Sequence, residues 1–162
     1  VVTVKGEWIS SILDMSINIA VLGAGYWGPN LIRNVAVCPK ARLVAVCDKN
    51  EDAIISLRGK YPKVTFYIDF EVMLQDPSVH AVMIASPASL HAHHTGLALK
   101  AGKHVFVEKP LATTFKEAND LAWEALSRQL ILMVGHTFLY NNLVTQVRKI
   151  IESGELGEIY YI

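Results

Sequence analysis

The sequence is short of cysteine, of net charge and of long apolar runs, and each shortage excludes something. Only two cysteines, Cys38 and Cys47, occur in 162 residues. They form no C-x-x-C pair, which argues against a disulfide framework or a thiolate metal site. They read as two reduced core thiols of a cytoplasmic protein. Fifteen basic residues balance fifteen acidic ones. That balance leaves no basic excess to hold nucleic acid or an anionic membrane, and no acidic tail. No apolar run reaches the roughly 18 residues that a membrane span needs. Val1 to Asp14 carries Lys5, Glu7 and Asp14 and lacks the basic start, apolar middle and small-residue cleavage site of a signal peptide. Met15-Ser16 looks like a natural start, so residues 1–15 read as an N-terminal extension.

What the chain does contain is organised around INIAVLGAGYWGPN, Ile17 to Asn30. An apolar run, Ile17 to Leu22, ends in Gly23-Ala24-Gly25-Tyr26-Trp27-Gly28, and an amphipathic segment follows at once. This is G-x-G-x-x-G between a strand and a helix, the context a dinucleotide fingerprint requires. Gly23 permits the tight turn out of the strand. Gly25 lets a pyrophosphate approach the backbone. Gly28 lets the helix pack close to the sheet. The helix N-terminus offers free N–H groups and a positive dipole end to phosphates. A second apolar run, Arg42 to Cys47, ends in Asp48, about 20 residues beyond the last glycine, where a carboxylate accepts hydrogen bonds from an adenosine ribose. Without a ligand, the same residues would be a tight β–α turn and a solvated strand-end acid.

Further along, strands and helices alternate. Strands are predicted at Ile17–Leu22, Leu43–Cys47, Val64–Tyr67, Ala81–Ala85, His104–Val107 and Leu130–Val134. Helices are predicted at Gly28–Val37, Glu51–Arg58, Asp69–Leu74, Ser89–Ala101, Thr114–Ser127 and Asn142–Ser153. The pattern implies an α/β fold: a doubly wound parallel sheet with right-handed crossovers, a Rossmann-type dinucleotide-binding domain over residues 16–153. Ligands of such sheets bind outside the carboxyl ends of the strands, where Gly23, Asp48, Ser86, Lys109 and His136 fall. Residues 154–162 read as a turn and then a new strand, Ile159 to Ile162, the start of a second domain.

Lys109 follows an apolar strand and precedes Pro110, so its backbone is extended and held. Near a nicotinamide it would polarise a carbonyl or bind an alkoxide, and desolvation would suit it to acid–base work. The competing reading is a surface lysine paired with Glu108. His136 follows the sixth strand and is a second catalytic candidate, or a hydrogen-bonded strand-end histidine. His91, His93 and His94 cannot all share one helix face, and no metal site is expected there. His91, just after Ser86-Pro87, is the one expected to face the cleft. Trp27 either covers the pyrophosphate or packs under the sheet edge. Phe138 and Tyr140 read as packing residues.

Together these residues resemble the glucose–fructose oxidoreductase, inositol dehydrogenase and MocA-like oxidoreductases. The resemblance covers about Ile17 to Ile162 and rests on the glycine loop, Cys47-Asp48, Ser86-Pro87 with His91, Ala101-Gly102-Lys103-His104-Val105-Phe106-Val107-Glu108-Lys109-Pro110-Leu111-Ala112, and Val134-Gly135-His136. The Gly-Lys-His-Val to Leu-Ala stretch is the specific part. It implies a nicotinamide cofactor contacted by Gly23, Gly25, Tyr26, Trp27, Gly28, Asp48, Ser86, Pro87, His91, Glu108 and Lys109. It implies hydride transfer at a ring carbon of a sugar, polyol or nucleotide-sugar, with Lys109 contacting substrate and nicotinamide. Asp48 favours NAD over NADP, because a carboxylate repels a 2′-phosphate; Lys49 beside it moderates that preference. Family members carry a second, substrate-binding domain that also forms the main dimer surface. The present residues then read as the cofactor half of a larger enzyme, a homo-oligomer at full length. The competing functions are a non-catalytic NAD-binding module that senses redox state or serves a partner protein, and a doubly wound domain binding another phosphate ligand.

Overall fold

The computed structural model describes residues 16–161, so the expected N-terminal extension lies outside the described residues. Six parallel strands form one sheet in the order β3-β2-β1-β4-β5-β6. They are β1 (Ile17–Leu22), β2 (Ala41–Cys47), β3 (Thr65–Tyr67), β4 (Ala81–Ile84), β5 (His104–Glu108) and β6 (Leu132–Gly135). The helices are α1 (Gly28–Val37), α2 (Glu51–Arg58), α3 (Phe70–Leu74), α4 (His91–Lys100), α5 (Phe115–Ser127) and α6 (Asn142–Ser153). The sheet is the doubly wound Rossmann arrangement, and the chain reverses direction across it between β1 and β4.

Strand alternation divides the core in two. One face buries Ala20, Leu22, Ala45, Cys47, Val82, Ile84, Val105 and Val107 against Met73 and Leu74, Ala98 and Leu99, and Leu121 and Ala125. The other buries Val21, Leu43 and Val46 against Leu31, Ile32 and Val35 of α1 and Leu57 of α2. Leu43 and Val46 share a face because the β1–β2 register shifts between Ile19 and Ala20, which inserts an extra residue and flips the alternation.

The helix starts follow from side chains that accept otherwise orphaned N–H groups. Asn50 caps α2, Asp69 caps α3, and Asn141 caps α6. Thr114 and Glu117 form a reciprocal capping box at α5. Helix α5 ends at Ser127 with Arg128 as its C-cap, and Gln129 after it has a φ of 56°. Leu130 N–H then returns to Ala125 C=O at 2.9 Å, which delays β6 to Leu132, two residues later than expected. The helix after Ser86-Pro87 begins as a 3₁₀ turn over Ala88–Leu90, and only then becomes α4.

Two expectations fail here. Ile159–Tyr161 adopts no strand. A β-prone segment needs a neighbouring strand to satisfy its backbone, and the described sheet ends at β3 and β6. Cys38 is exposed rather than core, because it is the C-cap of α1. Cys47 is buried; burial, with Asp48 and Asp69 nearby, pushes its thiol up to about 12, so it stays protonated and inert.

At the amino ends of the strands, part of the Gly-Lys-His stretch proves structural. Lys103 is buried and its Nζ donates to the Asp76 and Val79 carbonyls at 2.9 and 2.8 Å. His104 Nδ1 accepts from Ile131 N–H at 3.0 Å. These bonds join the entry loops of β4, β5 and β6, at the end of the sheet away from the glycine loop.

Candidate functional site

The carboxyl end of β1 shows why glycines are required. Gly23 has φ +95°, and a Cβ there would lie 2.6 Å from the Ala85 carbonyl oxygen. A Cβ on Gly28 would lie 1.9 Å from the Gly23 carbonyl oxygen. Both clashes are with backbone, which has no rotamer to change. Gly25 differs: nothing lies within 4 Å of its would-be Cβ. Two glycines are needed by the fold, and the third leaves open space for a ligand.

Helix α1 begins beside this loop with Pro29 in its first turn and no side chain capping its N–H groups. Pro29 has no N–H and Asn30 N–H bonds back to the Trp27 carbonyl at 3.0 Å, so the Gly28 N–H and the helix dipole are what this end offers an anion. Asp48 closes the other side. Its Oδ2 accepts Ala24 N–H at 2.7 Å and its Oδ1 accepts Asn50 N–H at 2.8 Å. One carboxylate thus ties the glycine loop to the end of β2 while keeping a lone pair on each oxygen for ribose hydroxyls.

Ser86 and His91 sit at the end of β4. His91 is 2% exposed, with Nε2 2.7 Å from the Ser86 carbonyl and Nδ1 2.7 Å from the Pro110 carbonyl. Both nitrogens face backbone carbonyls, and whichever carries the proton donates, so the ring lies beneath the Ser86 and Pro110 loops instead of offering a nitrogen to the cleft. Instead His94, which the sequence ranks behind His91 for the cleft, pairs with the Ser86 hydroxyl, Nδ1 to Oγ 2.8 Å. Burial, with His93 and His91 nearby, lowers its pKa and favours the neutral ring. Pro87 and Tyr26 are exposed, Tyr26 almost completely.

At β5 and β6 the register sets the geometry. Glu108 pairs with Gly135, so Lys109 and His136 leave adjacent strands at the same level. Lys109 is exposed and joined to Pro110 by a cis peptide. No Lys109–Glu108 ion pair forms among the described residues; Glu108 Oε1 accepts the Trp27 indole N–H at 2.7 Å instead. His136 is exposed. Phe138 and Tyr140, expected to pack, are 73% and 70% exposed on the 3₁₀ turn after β6. A hollow of about 570 Å³ lined by Arg42, Lys60 and Lys63 lies at the amino ends of β2 and β3, away from these groups.

The glycine loop, the start of α1 and the tied acid stand together at the carboxyl ends of β1 and β2. The model for the glucose–fructose oxidoreductase, inositol dehydrogenase and MocA group, an oxidoreductase family with an NAD-binding Rossmann fold, matches residues 17–136. The chain belongs to this family. Among its relatives, a 1-carboxy-3-chloro-3,4-dihydroxycyclohexa-1,5-diene dehydrogenase of Comamonas testosteroni is 29% identical over 89% of this chain and 36% of that protein. The scyllo-inositol dehydrogenase of Lactobacillus casei, with bound NAD(H) and scyllo-inositol, superposes with a TM-score of 0.82 at 25% identity, covering 89% of this chain and 43% of that one. A variant 3-ketoreductase of Actinomadura kijaniata, in complex with TDP-benzene and NADP, also reaches 0.82, at 29% identity, covering 89% of this chain and 44% of that one. The chain thus spans about two fifths of the length of such relatives. Both NAD(H) and NADP occur among these family structures. No helix among the described residues is long and apolar enough to cross a membrane.

Proposed function

We propose that this chain is the cofactor-binding half of an NAD-dependent oxidoreductase acting on a hydroxyl or keto carbon of a sugar, polyol or nucleotide-sugar. The observation that carries the cofactor is Asp48, held at the end of β2 by the backbone it would share with a ribose. Its charge disfavours a 2′-phosphate, so NAD is the preferred form. The fit of a dinucleotide rests on three features: open space at Gly25, the positive end of α1 with no side chain capping it, and carboxylate lone pairs at β2. When bound, the nicotinamide accepts or returns the hydride. The chain's own residues handle the proton: Lys109 or His136 takes it from the substrate hydroxyl, or returns it to the carbonyl oxygen. Their adjacency at the ends of β5 and β6 favours this reading over a non-catalytic NAD module. The ring alcohols and nucleotide named for the relatives support the substrate class. Residues 154–162 would lead into a substrate domain like those that make the relatives longer, and the complete protein would be a homo-oligomer.

Calorimetric titration with NADH and NADPH tests this. NADH is expected to bind at least about tenfold more tightly, and Asp48→Ser to narrow the gap. Equal affinities would remove Asp48 from the ribose site. Binding of neither, by a chain with a folded circular-dichroism spectrum, would remove the cofactor reading. These residues alone are expected to bind NAD(H) yet turn over no sugar at a useful rate.

A further inference from the structure

We propose that Glu108 is a positioning residue that holds the Trp27 indole against the nicotinamide half of the bound dinucleotide. The inference rests on the cofactor reading above and goes beyond it by giving these two residues one joint task.

Three observations carry it. The first is direction. Asp48 lies at the end of β2 and the glycine loop at the end of β1, so the adenosine side of a dinucleotide is fixed at β2 and its other half runs toward β4 and β5. Trp27 leaves the glycine loop in that same direction. Its Nε1 reaches Glu108 on β5, two strands from β1, a span of about 10 Å at ordinary strand spacing. The indole therefore reaches from the glycine loop past β4 to β5, and a pyrophosphate bound at that loop would lie between it and Asp48.

The second is restraint. An indole N–H can only donate, and a carboxylate accepts it strongly. The carboxylate lies over Gly135, where a Cβ would come within 3.2 Å of Glu108 Oε2 and 2.9 Å of Phe106 Cζ. Gly135 thus makes room for the acid that holds the tryptophan. The third is the surface left open. Trp27 remains 43% exposed although its polar atom is bonded. A flat aromatic face, held at one edge and open elsewhere, suits stacking with a planar ring or its ribose. Lys109 follows Glu108 directly, so the same strand end would set both the stacking partner and the proton-handling group.

The test compares NADH with ADP, which stops at the pyrophosphate, by calorimetry on the chain and on Trp27→Ala, Trp27→Phe, Glu108→Ala and Glu108→Gln. Trp27→Ala and Glu108→Ala are expected to weaken NADH roughly tenfold, the scale of one lost aromatic stack, and to leave ADP within about twofold. Glu108→Gln keeps an oxygen that accepts the indole N–H and should stay near the parent chain. Trp27→Phe keeps a ring without the tether and should fall between, and it serves if an alanine variant does not fold. Equal losses for ADP and NADH would assign Trp27 to the loop or pyrophosphate and overturn the proposal. Unchanged or tighter NADH binding by Trp27→Ala would overturn it too. If the parent chain binds neither ligand, the cofactor reading fails, and this inference with it.

Discussion

Around β1 and β2 the apolar side chains are covered, while beyond β6 they are open. Val21, Ile32 and Val46 have no exposed surface, yet Leu143 and Val147 of α6 are 75% and 55% exposed. Both regions carry equally plain amphipathic patterns. The difference lies in what stands opposite. Helix α1 lies on β1 and β2 and fills the face they present. Helix α6 has a sharply one-sided apolar stripe, Leu143, Val147 and Ile150, and no described element covers it. Periodicity reports which face of a helix is apolar; it does not report whether anything is there to receive that face. The binding end divides the same way. At β1 and β2 the loop, helix and acid are tied together by short bonds, whereas Lys109 and His136 at β5 and β6 are exposed. The β1–β2 end is held by bonds within the described residues, and Lys109 and His136 stand open beside it.

The glycines break this comparison most strongly. Gly28→Ala places a methyl against a backbone oxygen, an overpacking that rotamer changes cannot relieve. It should cost about 3 kcal/mol in urea denaturation and abolish NADH binding. Gly25→Ala should leave the urea midpoint almost unchanged, because its Cβ meets open space, while weakening NADH by obstructing the ligand's approach. If Gly25→Ala destabilises the fold as much as Gly28→Ala, the division into structural and ligand glycines is wrong.

Most of the fold was legible from residues near in sequence. Ile17–Leu22, Glu51–Arg58 and Asn142–Ser153 fall where pattern and caps place them, because strand alternation and N-caps act over a few residues. The site was legible only in part. Trp27 and Glu108 stand 81 positions apart and meet because β4 alone separates their strands. No local signal links Asp48 to Ala24, or turns His91 toward two carbonyls while His94 takes Ser86. Ile159–Tyr161 misled because β-propensity describes a segment and a strand requires a partner. The Gly102-to-Ala112 stretch reads as one motif, yet Lys103 and His104 serve packing at one end of β5, and Glu108 and Lys109 stand at the other.

His94 gives an intermediate effect and probes the wall between the two halves. Its folded-state pKa lies below the ordinary histidine value of about 6.5, because burial, then His93 and His91, oppose its charge. As pH falls through the ordinary range, the unfolded chain binds the proton first. This contribution to stability is therefore full above that range and lost toward acid. Asp76, held low mainly by hydrogen bonds from Ser78, adds an acid-side loss in the carboxylate range. His94→Asn keeps an acceptor for the Ser86 hydroxyl and removes the titration. The urea midpoint of this variant should fall less between pH 7 and pH 5 than that of the parent. Identical slopes would show that His94 is solvated and free to take its proton in the folded state.

The smallest expected effect falls on α6, and its smallness is the point. Val147→Gln exchanges an exposed β-branched residue for a good helix former at a mid-helix position. Nothing described packs on Val147, so no cavity forms, and the propensity gain is a few tenths of a kcal/mol. Stability should change by less than about 0.5 kcal/mol, and solubility should rise as the apolar stripe is interrupted. A loss above about 1 kcal/mol would mean that the stripe is covered in solution. If that loss grew with protein concentration, the cover would be a second copy of the chain; if it did not, the cover would lie within the same chain. Either result would close the open side, and α6 would then be held as α1 is, by a face packed on its apolar stripe.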